Sequence, residues 1–127
     1  MIRQSFNILH HWKVIVYYNI NYDFYCHITN DYNGIDISKK MQDNIKQTMS
    51  KGLAKGVTVS SFKYRTSIVC FNIHESKRDF INTIVHESKH IQSAICSYYN
   101  VPEDSEDAAR TIGYVIEKMY DVFKKYF

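Results

Sequence analysis

The sequence predicts an α+β fold: a small antiparallel β-sheet packed against helices, with one long helix followed by a second that folds back antiparallel to it. Three observations carry this prediction. Trp12 to Ile20 is rich in β-branched and aromatic residues, and two shorter runs of the same kind, Val57–Tyr64 and Ser67–Ile73, follow it. Phe80, Ile81, Ile84, Val85, Ile91 and Ile95 recur at helical spacing. Ala109, Ile112, Ile116, Met119 and Phe123 do so again, beyond the break at Asn100-Val101-Pro102.

Taken in order, Trp12 to Ile20 reads as the first strand. Asn21 to Asn33 is ambiguous, because its tyrosines alternate with polar residues, and Asn30-Asp31-Tyr32-Asn33-Gly34 reads as a turn cluster. Asp36 to Lys51 reads as a helix with Ile37, Met41, Ile45 and Met49 spaced by four; Asp36 or Ser38 caps its start and Gly52 ends it. Val57–Tyr64 and Ser67–Ile73 read as two strands joined near Arg65-Thr66. Ser76, with Asp79 three residues later, resembles a capping box and sets the start of the long helix, which runs to about Tyr99. The last helix spans Glu103 to Phe127, with Asp104 or Ser105 as its cap and acidic residues suited to the dipole in its first turn.

The chain of 127 residues fits a single domain, spanning 1–127, with 45% hydrophobic residues and only one proline and four glycines, which excludes a disordered polymer. Its densest apolar run, Val14 to Tyr18, is far too short for a membrane helix, and no signal-peptide pattern opens the sequence. Cys26, Cys70 and Cys96 form no CxxC pair, so reduced thiols and a cytoplasmic location are expected. The formal net charge is +3. The lysines of the middle segment, from Lys39 to Lys63, read as a solvated face more readily than as a nucleic-acid surface.

The stretch with chemistry is Val85-His86-Glu87-Ser88-Lys89-His90. Histidines four apart on a helix lie one turn above each other and can share one metal ion. Glu87, next to the first histidine, reaches a water on that ion but does not readily replace a histidine as ligand. With six histidines in the chain, an accidental match has a chance on the order of a few per cent. The helix argues against accident, because His86 and His90 fall nearly opposite its apolar face. The residues on their own side, Asn82, Thr83, Ser93, Ala94 and Ser97, are small or polar. His74-Glu75-Ser76-Lys77 repeats the first letters of the motif, but Arg78 stands where the second histidine is needed, so no metal is assigned there.

A catalytic zinc needs a third protein ligand. The extended pattern with a glycine and a third histidine is disfavoured, since Ser93 and Cys96 occupy those places and Cys96 points toward the core. A glutamate from the next helix is the alternative. Glu106 shares a helical stripe with Ala109 and Gly113, and a helical glycine suggests close approach of the preceding helix. Glu106 also suits the dipole as an ordinary first-turn acid. Glu103 and Asp107 compete for the ligand role, and Asp107 is alternatively an acceptor that orients a histidine.

His86-Glu87-x-x-His90 followed by Glu106 on a second helix resembles the gluzincin arrangement of zinc metallopeptidases. Asn82 to His90, then Glu106-Asp107-Ala108-Ala109 and Ile112-Gly113, is similar to small, mostly uncharacterised zinc peptidases of gut bacteria and their phages. The likeness covers roughly Val57 to Met119 and is loose before that. It implies a minimal zincin-like domain, with His86, His90 and Glu106 binding Zn2+ and Glu87 as general base. Arg110 departs from the pattern, because an aromatic residue is expected there. On this basis the expected function is hydrolysis of a peptide or protein substrate by a metal-activated water. The strand Ser67–Ile73 is expected to offer an edge for the substrate, and Arg110 or a tyrosine to stabilise the oxyanion. The rivals are a non-catalytic zinc-stabilised interaction protein and a nucleic-acid-associated protein using the basic middle. Substrate specificity and oligomeric state are not legible.

Overall fold

The structure is a computed structural model that describes residues 1–9, 11–20 and 25–127, with the main chain alone for Tyr25 and Cys26. Strands β1 (Ile2–Ile8) and β2 (Trp12–Tyr18) are followed by helices α1 (Tyr25–Gly34) and α2 (Lys39–Ser50), then strands β3 (Gly56–Ser61) and β4 (Thr66–Phe71) by helices α3 (Lys77–Tyr99) and α4 (Glu106–Tyr126). The strands form one sheet in the order β1-β2-β4-β3. Hairpins β1/β2 and β3/β4 are antiparallel, but β2 pairs parallel to β4, with Lys13 opposite Thr66 and Tyr17 opposite Cys70. The fold is therefore α+β with a mixed sheet, not the antiparallel one expected.

The parallel seam puts β2 and β4 at the centre, where both faces are covered. This explains their almost unbroken apolar sequences. Val14, Val16, Tyr18, Val69 and Phe71 pack on one face with Phe80, Ile84, Ile91 and Ile95 of α3 and with Val115, Met119 and Phe123 of α4. Ile15, Tyr17, Ile68 and Cys70 pack on the other face with Ile28 and Tyr32 of α1 and with Ile45 and Met49 of α2. Trp12 is fully buried and donates from Nε1 to Ser67 Oγ at 3.0 Å. On the second face Arg3 and Tyr17 both bond to Asp31, tying α1 to the sheet.

Several elements depart from the sequence reading. β1, which the sequence did not flag, lies at the edge beside β2. The expected turn at residues 30–34 is the end of α1, while residues 21–24 and the Cys26 side chain lie outside the described residues. Ser38 is the cap of α2, accepting from Met41 N at 3.2 Å, and Gly52, with φ of 68°, follows its end. Ser76 caps α3 by accepting from Asp79 N at 3.1 Å, and Asn100 closes it in the left-handed conformation. Ser105 caps α4. The buried stripe of α4 is Ala108, Thr111, Val115, Met119 and Phe123, one residue ahead of the expected stripe in its first half. Among the described residues no helix is long and apolar enough to cross a membrane.

Candidate metal centre

α3 is built as an amphipathic helix, but its buried stripe is not purely apolar. Thr83, Glu87, Ser88 and Gln92 lie in it beside Phe80, Ile84, Ile91 and Ile95. Each polar member has a partner, as buried polar groups require. Gln92 Nε2 donates to the Ala108 carbonyl at 3.0 Å, and Ser88 Oγ lies 3.7 Å from Met119 Sδ. These two contacts run α4 back along the Ser88–Gln92 flank of α3. On the opposite flank, Thr83 and Glu87 face β3. His86 and His90 project to solvent next to the Thr83–Glu87 flank, at about 100° of helical turn per residue.

The two imidazoles meet edge to face, with centroids 4.9 Å apart and an interplanar angle of 79°. Their Nε2 atoms are 3.2 Å apart. Two nitrogens bound to one tetrahedral zinc at about 2.0–2.1 Å stand about 3.3 Å from each other, so this spacing fits a shared ion. A proton on one Nε2 gives the same spacing by N–H···N bonding. Glu87 completes the cluster: one ligand atom from each of His86, Glu87 and His90 lies within 4.8 Å of the others. Its side chain is 3% exposed, and Oε2 accepts from Thr58 Oγ1 at 2.7 Å. Glu87 also lines the groove between β3 and α3, a space of about 330 Å³ shared with Lys55, Gly56, Asn82, Thr83 and His86.

β3 sets the position of Glu87 in two ways. Thr58 supplies the hydrogen bond, and Gly56 supplies the room. A methyl group on Gly56 would stand 3.0 Å from Glu87 Cγ, 3.0 Å from Thr83 Cγ2 and 3.2 Å from Phe71 Cδ1. Thr58 was not singled out from the sequence. Its signal was the small residues at alternate positions, Gly56, Thr58 and Ser60, which face α3 and let the helix approach.

β3, and not Ser67–Ile73, carries the exposed edge beside the cluster, because β4 is enclosed between β2 and β3. Asn72 N donates to Lys55 O at 3.0 Å, which marks Lys55/Asn72 as a hydrogen-bonded pair of the ladder. By alternation Val57, Val59 and Ser61 bond to β4. The main-chain groups of Gly56, Thr58 and Ser60 therefore point off the sheet.

The acids in the first turn of α4 and just before it are elsewhere. Glu106 is not brought to the histidines: its side chain is 80% exposed and its nearest cation is Arg110, at 3.9 Å. Glu103 lies 3.5 Å from Lys89, and Asp107 lies 3.9 Å from Arg110. The cause is the rotation of the α4 stripe. Burying Ala108 and Thr111 turns Glu106, Ala109 and Gly113 outward, and a methyl on Gly113 would meet nothing within 4 Å. The close approach inferred from that glycine does not occur. His74 is engaged locally: Nδ1 is 2.8 Å from the Asn72 carbonyl, Nε2 is 2.9 Å from Thr83 Oγ1, and the ring stacks on Phe80. Burial holds its pKa below the ordinary histidine value, against the Asn72 hydrogen bond and the Asp79 charge. Compared with protein-family models, characterised proteins and solved structures, the chain shows no significant match.

Proposed function

We propose that this chain is a zinc-dependent peptide hydrolase of gluzincin-like type, with His86 and His90 holding the ion and Glu87 as general base. The observation that carries the reading is the pair of Nε2 atoms 3.2 Å apart with a buried carboxylate alongside. Zinc at that position supplies Lewis acidity and lowers the pKa of bound water toward neutrality. Glu87, fixed through Oε2 by Thr58, accepts a proton from water in the groove and returns it to the leaving amine. The outward main chain of Gly56, Thr58 and Ser60 suits an extended peptide added as a fifth strand, whose backbone would then run past Glu87. Glu106 belongs to the gluzincin pattern as third ligand and joins the ion only if the first turn of α4 rotates toward His90.

Glu106's outward placement favours a second reading, in which zinc stabilises a binding surface without turnover. One set of measurements separates the two. Zinc content is measured on the wild type and on His86→Ala, Glu106→Gln and Glu87→Gln, and hydrolysis of a mixed peptide library is followed in parallel. The hydrolase reading expects His86→Ala to lose the metal and Glu87→Gln to keep it while losing hydrolysis. Stoichiometric zinc in His86→Ala would overturn the metal site. Wild-type zinc affinity in Glu106→Gln would limit the protein ligands to the histidine pair. A zinc-loaded wild type that cleaves nothing in the library favours the second reading.

A further inference from the structure

Both hairpins of the sheet turn at the same end, because β2 and β4 run parallel. The turn after β1 and the turn after β3 lie side by side there, joined by a bond from Lys13 N to the Arg65 carbonyl at 2.8 Å. The histidine groove starts from Lys55 and Gly56, at the other end of β3. Apolar side chains stand in the open at the turns: Leu9 is 61% exposed and Phe62 48%. Tyr98 and Tyr99, at the end of α3, make the patch continuous. The Phe62 and Tyr98 rings are 5.9 Å apart, the Tyr98 and Tyr99 rings 4.7 Å, and Tyr99 and Leu9 border one cleft. Leu9 also has a φ of 54°, a left-handed conformation that a bulky side chain rarely adopts. The backbone thus holds a leucine outward where asparagine or glycine would sit with less strain.

The charge beside this patch has one sign in excess. No Asp or Glu occurs in residues 1–20 or 53–73, which include all four strands and both turns. Lys13, Lys63 and Arg65 are exposed at this end. Asp36 reaches across to Lys63 at 3.5 Å and accepts from the Tyr64 hydroxyl at 2.8 Å, so it offsets one cation. Lys13 and Arg65 have no ion-pair partner among the described residues. Asp107 and Arg110, which border Leu9 across the cleft, lie 3.9 Å apart and offset each other.

From this we infer that the two turns seat the protein on an anionic lipid surface, with Leu9 and Phe62 entering the interface and Lys13, Lys63 and Arg65 meeting the headgroups. Tyr98 and Tyr99, apolar in body and polar at the tip, suit the headgroup level. A single-stranded nucleic acid would match the cations, but it needs open ring faces on which to stack. Here the Trp12, Phe62 and Tyr98 rings pack edge to face on one another, and Leu9, the most exposed member of the patch, has no ring.

The test uses the full chain, sedimented with vesicles of phosphatidylcholine alone or of equal parts phosphatidylcholine and phosphatidylserine. The expected result is binding to the mixed vesicles that weakens with added salt, and little binding to phosphatidylcholine alone. Leu9 and Arg65 both have left-handed backbone, which asparagine accepts, so Leu9→Asn and Arg65→Asn are expected to fold, and circular dichroism checks this. Arg65→Asn should weaken the partition about fivefold, the effect of one cation near the surface. Leu9→Asn should weaken it about tenfold, from the apolar area no longer buried. His86→Ala should partition like the wild type, which separates this surface from the metal centre. No binding to the mixed vesicles, equal binding to both kinds, or an unchanged partition in Leu9→Asn would each overturn the inference. An oligothymidylate bound more tightly than the vesicles would give the patch to nucleic acid instead. A wild-type dimer in sedimentation velocity that Leu9→Asn dissolves would give it to a second copy of the chain.

Discussion

Replacing Gly56 with alanine tests how closely β3 is drawn against α3. The new methyl would meet two side-chain carbons at 3.0 Å and a ring carbon at 3.2 Å, where ordinary contacts begin near 3.4 Å. Strand and helix must part by a few tenths of an ångström, or Glu87 must swing off Thr58. Overpacking of this kind costs about 1–3 kcal/mol. Against it stands the gain of about 0.4–1 kcal/mol from restricting the unfolded chain at a former glycine. The net expectation is a loss of about 1–2 kcal/mol, read as a urea midpoint lower by about 0.5–1 M at unchanged slope. A double-mutant cycle localises the cause. Thr83→Ser removes the Cγ2 methyl that takes one of the 3.0 Å contacts, so the alanine should cost less in that background, with a coupling of about 0.5–1 kcal/mol. A midpoint equal to or above that of the wild type would refute the reasoning. It would show that Glu87 does not owe its position to the bare backbone opposite it.

Two further predictions concern ionisation. Burial lowers the pKa of His74, so the unfolded chain binds more protons there than the folded one, and stability rises with pH across that range. The contribution is present above the ordinary histidine value near 6.5 and is lost as pH falls below it; denaturation at pH 5 and 7.5 should show a smaller pH dependence in His74→Gln, and an unchanged one would sink the assignment. The Cys70 thiol is pushed up to about 12, first by burial, with the Tyr32 hydroxyl 3.3 Å away pulling in the opposite direction. It should resist a thiol reagent at pH 8 until the protein unfolds, as peptide mapping would show; rapid native-state labelling would mean that this face of the sheet opens readily.

The sequence made most of the helical framework legible, because capping chemistry is local. Ser38, Ser76 and Ser105 each hold the main-chain N–H three residues on. The two central strands were readable from their β-branched and aromatic runs. The parallel pairing of β2 and β4 was not, since nothing in either strand specifies a partner on one side or the other. The turn cluster at residues 30–34 misled for a related reason. Asn and Gly favour turns, but Ile28 and Tyr32 bury one helical turn apart against the sheet, and that burial outweighs local preference. At the candidate site, the histidine pair and Glu87 are one helical motif and follow directly from spacing. Glu106 depends on the rotation of a second helix, and one residue of phase decides whether it faces a neighbour or water. Ile112 and Ile116 suggested one phase, and the burial of Ala108, Thr111 and Val115 selects another.

The seam between β2 and β4 joins residues more than fifty positions apart, whereas Gly56, Thr58, His86, Glu87 and His90 all come from one continuous stretch on its far side. Closing so long a loop is entropically slow, while the β3/β4 hairpin and α3 are neighbours along the chain. The histidine cluster thus lies in the segment of more local contacts, and the expected order is that this segment organises first and the N-terminal hairpin docks after it. Destabilising substitutions in β1 should accordingly speed unfolding more than they slow folding, and leave the early assembly of the β3–α3 segment intact.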